Sequence, residues 1–211
     1  MLYAFLKRIV DFVGAFFALI IFSPLILILV FFIKKESPGP AVFKQPRVGR
    51  HGKLFHMHKL RSMHLNADEE ILSKHPELLK KYQESGWKLP VDEDPRVMSI
   101  GRFIRRTSLD ELVQFWDVLV GDMSIVGPRA FREEELRMEQ EKHPEAKSFV
   151  QDMLTVKPGI TGAWQTGGRS HVAFVPRVKI EASYAKRHSI FYDFWLMLKT
   201  PFKVLHQEGV V

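Results

Sequence analysis

With 211 residues, 46% of them hydrophobic, the chain can bury a core, and its apolar residues concentrate at the N-terminus, so it reads as one domain plus a membrane segment. The absence of cysteine excludes disulfides and thiolate metal sites, suits a cytosol-facing protein, and leaves the chemistry to oxygen and nitrogen groups. A net charge of +7 calls for an anionic partner; nucleic acid is disfavoured, because basic and acidic residues are mixed and no nucleic-acid motif occurs, which leaves anionic lipid or a phosphorylated substrate.

Residues 12–33 are almost wholly apolar, about long enough to cross a bilayer as one helix. A plain spanning anchor is the simplest reading, but two features favour a re-entrant hairpin. Ser23-Pro24 lies mid-run, where proline removes a backbone donor and crowds the preceding turn, so the helix is expected to break there, with the serine hydroxyl bonding a freed carbonyl. Lys7 and Arg8 precede the run and Lys34 and Lys35 follow it, so the positive-inside rule draws both flanks to the cytoplasm. A kinked spanning helix also tolerates proline, so physics alone leaves the two topologies open. A cleaved signal peptide fits poorly, since no small-residue cleavage site follows before Lys34.

Ser37-Pro38-Gly39-Pro40 cannot continue a helix, which divides the chain into a membrane hairpin, 1–36, and a cytosolic domain, 37–211. Residues 41–45 and 53–58 read as a hairpin around Gly49 and Gly52. Residues 65–84 are helical in pattern and broken at Pro76; an acidic loop at 90–95 leads into a helix at 100–106. A helix at 110–120, with Leu112, Phe115, Trp116 and Leu119 at helical spacing, stops at Gly121. A charged helix at 132–141 precedes the segment 158–162, which has the composition of an ordinary turn, and helices at 177–187 and 190–206 follow. The last carries Phe191, Phe194, Trp195, Leu198, Phe202 and Leu205 mostly on one side, a face that suits either the domain core or the lipid interface. The expected class is α/β, mostly helical with a short hairpin, with amphipathic interfacial helices beside the membrane segment.

Ser108-Leu109-Asp110-Glu111-Leu112 is the chemically suggestive segment. Ser108 and Glu111 have the spacing of a capping box, which would set Asp110 in a first helical turn where the dipole keeps it ionised and nucleophilic. Arg105 and Arg106 just upstream would hold a phosphorylated substrate against it. The plainer reading, a capped helix with a dipole-complementing aspartate, is the better fit to this segment taken on its own. His51, His56, His58 and His64 lack the paired spacing on one helix face that a metal site uses, and metal ligation by them is not expected.

Taken together, Phe5-Leu6-Lys7-Arg8, Ser23-Pro24, Val42-Phe43-Lys44-Gln45-Pro46-Arg47-Val48-Gly49, Lys59-Leu60-Arg61-Ser62-Met63, residues 107–112, Gly121-Asp122-Met123-Ser124-Ile125-Val126-Gly127-Pro128-Arg129 and residues 157–162 closely resemble the bacterial sugar transferases called monotopic phosphoglycosyl transferases. The resemblance covers nearly the whole chain and is closest in pattern to the undecaprenyl-phosphate hexose 1-phosphate transferases of exopolysaccharide and O-antigen synthesis. It implies transfer of a sugar 1-phosphate from a UDP-sugar to undecaprenyl phosphate with release of UMP, at the cytoplasmic face of the bacterial inner membrane. It places the nucleophile on Asp110 and magnesium binding on Glu111, with Glu181 as a further carboxylate for the metal. Three positions depart from the usual pattern: Ala130 stands for a proline, Lys157 for an arginine and Glu181 for an aspartate. Lys157 keeps the cation but loses the planar fork.

These readings converge on covalent catalysis, with Lys59, Arg61, Arg105, Arg129, Lys157 and Arg169 as candidates to neutralise phosphate charge, although each alone is by base rate a surface ion-pair residue. The rivals are a non-catalytic membrane-anchored interaction protein on the same scaffold, disfavoured by intact Asp110 and Glu111, and a basic nucleic-acid binder. The sequence leaves the sugar and the oligomeric state open, a homodimer included.

Overall fold

In the computed structural model, residues 2–85, 89–167 and 172–205 are described. Helix α1, Leu2–Glu36, is continuous through Pro24, so the expected break at Ser23-Pro24 does not form. The reason is local. Proline has no N–H for the carbonyl of Ile20, and the Ser23 hydroxyl donates to that same oxygen at 2.8 Å, replacing the missing bond.

The inner face of α1 lies along the rest of the protein from one end to the other. Near its start Arg8 donates to the carbonyls of Val118 and Leu119, each at 2.8 Å, and Asp11 accepts from Ser124 Oγ and the Ile125 N–H, each at 3.0 Å. Midway, Phe22 stacks on Phe115; further on, Leu29 and Ile33 enter a core cluster with Leu60, Met98, Ile104 and Val113. At the far end Glu36 accepts the first N–H groups of the helix that starts at Ser99. These positions recur at helical spacing, while Phe5, Phe12, Phe17, Ile21, Leu27 and Phe31 on the other side are exposed. By length and composition the helix could cross a membrane.

Strands β1, Val42–Val48, and β2, Leu54–Leu60, form the expected antiparallel hairpin, paired from Val42↔Leu60 to Val48↔Leu54. Its turn uses His51 and Gly52 at positive φ. A wide single turn, Asp68–Leu72, and α2, Pro76–Glu84, follow, then α3, Ser99–Arg106, and α4, Gln114–Val120, which stops at Gly121 at φ 97. The segment read as an ordinary turn is instead β4, Gly159–Thr161, parallel to β3, Ser124–Val126. Backbone meets backbone here. A Cβ on Gly127 would sit 2.3 Å from the Lys157 carbonyl, and one on Gly159 would sit 2.0 Å from the Gly127 nitrogen, so the two glycine motifs fit only without side chains.

Helices α5, Glu133–Lys142, α6, Lys147–Met153, and α8, Phe174–Arg187, close a second cluster around Phe131, Val150, Met153 and Val178, with the short α7, Ala163–Gly167, before α8. In α9, Ile190–Leu205, Leu196 is buried, whereas Phe191, Phe194, Trp195, Leu198 and Phe202 face outward, so the aromatics are not core. Asp193 ties α9 to α1, accepting from Tyr3 Oη at 2.9 Å and Lys7 Nζ at 2.8 Å, while Tyr184 Oη donates to its other oxygen at 2.7 Å.

Candidate active site

Asp110 and Glu111 do not occupy the first turn of an α-helix. They lie in a single tight turn, Leu109–Glu111, and the α-helix begins only at Gln114. Ser108 takes a left-handed conformation, φ 56, and makes no side-chain cap bond, so the capping box does not form. The turn is built by its neighbours. Thr107 Oγ1 bonds the carbonyls of Phe103 and Ile104 to end α3, Ser108 reverses the chain, and Leu109 packs on the core cluster of Leu29 and Ile33.

That reversal turns both carboxylates toward β2, where Lys59 Nζ donates to Asp110 Oδ2 at 3.2 Å and Glu111 Oε1 at 2.8 Å. The Asp110 side chain is 12% exposed and that of Glu111 34%, so the pair is graded from sheltered to open. Burial pushes the Asp110 pKa up; Lys59 opposes the shift, Glu111 adds to it and Arg105 opposes it. The helix dipole is thus not what favours ionisation of Asp110. Lys59 and Arg105 do that.

The other candidates are spread more widely. Arg105 Nη1 lies 3.6 Å from Asp94, which also holds Arg96 in a buried pair at 2.7 Å. Arg61 is buried and donates to the carbonyls of Pro38 and Ser37 at 2.8 and 2.7 Å, fixing the exit from α1. Lys157 sits at the far end of α4: a Cβ at Gly121 would lie 3.5 Å from both its ammonium and the Arg8 guanidinium, and burial followed by the charge of Arg8 pulls its pKa down. Arg129 lies over the Trp164 ring, and its backbone N–H donates to Glu181 Oε1 at 3.0 Å. Glu181 is fully buried, and its pKa is pushed up to about 7 by burial. Arg169 lies outside the described residues.

Several functional-looking groups escaped the sequence reading. Arg47 and Arg177 are buried and their pKa values are pulled down to about 9, chiefly by burial and then by Arg129, while the Arg177 guanidinium lies about 4 Å from the rings of both Trp164 and Phe131. Asp117, wholly buried on α4, meets His58 of β2. The sequence signal for it was an acidic residue between Trp116 and Val118, one turn after Gln114, in a helix otherwise rich in apolar residues.

For magnesium, the donor chemistry fits. Mg²⁺ commonly binds through one or two carboxylates and completes its octahedron with substrate phosphates and water, and the more open carboxylate, Glu111, suits that role. Among the described residues no group of three or more His, Asp or Glu forms a closed metal cage.

The fold and site define a domain with a long apolar helix and an acidic turn held by Lys59, with Arg105 in its field. The profile of the family described as "Bacterial sugar transferase" matches residues 2–207, and the chain belongs to that family. It is 41% identical over 208 residues to an undecaprenyl-phosphate galactose phosphotransferase of Salmonella typhimurium, covering 97% of this chain and 41% of that protein. It is 37% identical to a UDP-N-acetylgalactosamine-undecaprenyl-phosphate N-acetylgalactosaminephosphotransferase of Aeromonas hydrophila, covering 94% of this chain and 43% of that protein. Against the exopolysaccharide production protein ExoY of Rhizobium meliloti the identity is 35%, covering 92% of this chain and 83% of that protein. The chain thus spans about two fifths of the length of the first two of these relatives.

Proposed function

We propose that this chain transfers a sugar 1-phosphate from a UDP-sugar to undecaprenyl phosphate, in a membrane step of exopolysaccharide, O-antigen or other glycoconjugate synthesis. The observation that carries the reading is the Lys59 ammonium held between a sheltered Asp110 and an open Glu111. In the first half-reaction an Asp110 oxygen attacks the sugar-bearing phosphorus of the donor; the bond from that phosphorus to the bridging oxygen breaks and UMP leaves. In the second, a phosphate oxygen of the polyprenyl phosphate attacks the same phosphorus, the bond to Asp110 breaks, and the carboxylate is restored. Lys59 and Arg105 favour the ionised nucleophile and offset the repulsion between it and an anionic donor. Glu111 would hold Mg²⁺, which when bound supplies charge neutralisation for the diphosphate. The relatives named above carry different sugars in their names, galactose and N-acetylgalactosamine, so the reading extends to a UDP-hexose and no further. Incubating the protein with undecaprenyl phosphate and a panel of UDP-hexoses tests it: UMP should appear with at least one donor, and silence with all of them would refute it.

We also infer that the chain is monotopic, with α1 seated at the cytoplasmic leaflet and both of its ends on that side. An α1 of 35 residues runs about 50 Å, more than the roughly 30 Å of bilayer hydrocarbon, yet Arg8 and Asp11 at one end and Glu36 at the other all bond to the same folded body. A straight span would carry one end away from that body. The exposed apolar face of α1 and the outward aromatics of α9 suit contact with lipid. With single cysteines at Leu2 and Lys35, a membrane-impermeant thiol reagent should label neither position from the periplasmic side; labelling of one alone would make α1 a spanning helix.

A further inference from the structure

Besides the Lys59 bridge, a second polar tie joins the same two segments. The second lies one residue earlier on β2 and six residues beyond Glu111. Asp117 Oδ2 accepts the backbone N–H of His58 at 2.9 Å, and Asp117 Oδ1 faces His58 Nδ1 at 2.5 Å. The Asp117 side chain is 1% exposed and that of His58 20%. His58 and Lys44 form a non-hydrogen-bonded pair in this register, so the His58 N–H points away from β1, and the Asp117 carboxylate satisfies that outward donor. With Nδ1–H directed at the carboxylate, the tautomer and ring orientation of His58 are both set.

We propose that His58 and Asp117 form a positioning pair that sets where the Lys59 ammonium stands over the Asp110–Glu111 turn, an inference that rests on the transferase reading above. Lysine reaches its partners through a flexible four-carbon stem, so the location of its ammonium depends on where its backbone is held. The hairpin ladder holds Lys59 on one side, opposite Phe43. Of its two chain neighbours, Leu60 is buried in the core, and His58 is clamped twice by one carboxylate. That carboxylate belongs to α4, the helix that continues directly from the turn bearing Asp110. The pair therefore couples the cation to the nucleophile through a short path, β2 to α4 and back along the chain to Asp110. Asp117 also anchors that path at its other end: its own carbonyl accepts the N–H groups of Gly121, Asp122 and Met123. A buried aspartate needs partners for solvation alone, but solvation does not require that both bonds fall on the residue next to Lys59.

The test is UMP release by the full chain in lipid nanodiscs, for Asp117→Leu and Asp117→Asn, each in the native background and combined with Lys59→Arg, which keeps a cation on a different stem. In the native background Asp117→Leu should lower kcat on the order of 10–100-fold, with the donor KM little changed, as expected when a reacting group is misplaced while substrate binding is intact. Asp117→Asn, which keeps an acceptor for the His58 N–H, should recover most of that loss. In the Lys59→Arg background Asp117→Leu should cost no more than about twofold further, because the lysine it positioned is gone. Losses of equal size in both backgrounds would overturn the proposal and make Asp117 a scaffold residue, as would full activity of Asp117→Leu. Thermal unfolding checks the fold of each variant; should Asp117→Leu not fold, His58→Gln, which keeps the backbone bond, carries the same comparison with the same non-additivity expected. A native chain that releases no UMP from any donor sinks the transferase reading itself, whereas a native chain that is active and variants that are additive sink the positioning pair alone.

Discussion

Asp110 and Glu181 are both buried carboxylates, and the contrast between their surroundings sets the proposed nucleophile apart from the carboxylate that the resemblance offered as a further metal ligand. Asp110 lies in an irregular turn, touches an ammonium that it shares with a half-open neighbour, and has Arg105 within its field. Glu181 lies inside the regular helix α8, fully buried, and takes one backbone N–H, from Arg129, while its second oxygen has no hydrogen-bond partner among the described residues. A carboxylate tethered to a movable cation at an accessible edge can exchange that partner for a substrate. One locked under a main-chain loop cannot do so without opening the fold, and its ionisation instead affects stability.

Substituting the two acids should separate them most sharply. Asp110→Asn should reduce UMP release on the order of 10⁴-fold or more with the unfolding midpoint little changed, since it removes the proposed nucleophile and little buried area. Chelation by EDTA should abolish release nearly as completely, with Mg²⁺ restoring it; full activity in excess chelator would show that cations of the protein suffice and free Glu111 from a metal role. Lys59→Met comes next. Losing the shared ammonium should cost about 10²–10³-fold in kcat/KM. It should also move the acidic limb of the pH profile upward: Lys59 lowers the Asp110 pKa, so without it the carboxyl keeps its proton to higher pH.

Glu181→Gln gives the smallest effect, and it should appear in stability rather than in rate. The folded pKa of about 7 lies above the usual 4.5, so the folded state holds this proton more tightly than the unfolded chain does. The associated stability is fully present below pH 4.5 and is lost as pH rises through about 7, to an extent on the order of 3 kcal/mol. Glu181→Gln should flatten that decline, so that the melting temperatures of variant and native protein diverge between pH 5 and pH 8. Parallel curves would show that Glu181 is solvated or paired in a way this picture lacks.

What could be read from the sequence tracks the range of the forces involved. The hairpin, the stop at Gly121 and the helix of Ser99–Arg106 follow from local turn chemistry and short-period patterning, and all three stand. At Pro24 the Ser23 hydroxyl bonds the freed carbonyl as expected, but that bond keeps the helix continuous where a break was expected. The capping box misled because Ser108 was drawn into a left-handed turn by packing of Leu109 and the ending of α3, and tertiary context outweighed a pattern worth about 1 kcal/mol. The parallel pair β3–β4 has three residues in each strand, too few to show a period, although the glycines that let it form were visible as motifs. The acidic pair was readable, but its partner Lys59 lies about fifty residues earlier, and the tie between His58 and Asp117 spans a similar gap. Neither pairing has a local signature. Of the cations singled out for phosphate, Arg61 donates to carbonyls at the exit from α1 and Lys157 lies beside Gly121 at the end of α4, placements that no local pattern announces.

Everything proposed for the acidic turn depends on Asp110 becoming covalently attached to the sugar phosphate. Intact-mass spectrometry of the purified chain after exposure to its UDP-sugar, with no polyprenyl phosphate present, tests this most directly. The native protein should gain the mass of one hexose phosphate, lose it again when polyprenyl phosphate is added, and Asp110→Asn should gain nothing. UMP release without any adduct, or an adduct of equal yield in Asp110→Asn, would rule out Asp110 as the covalent nucleophile.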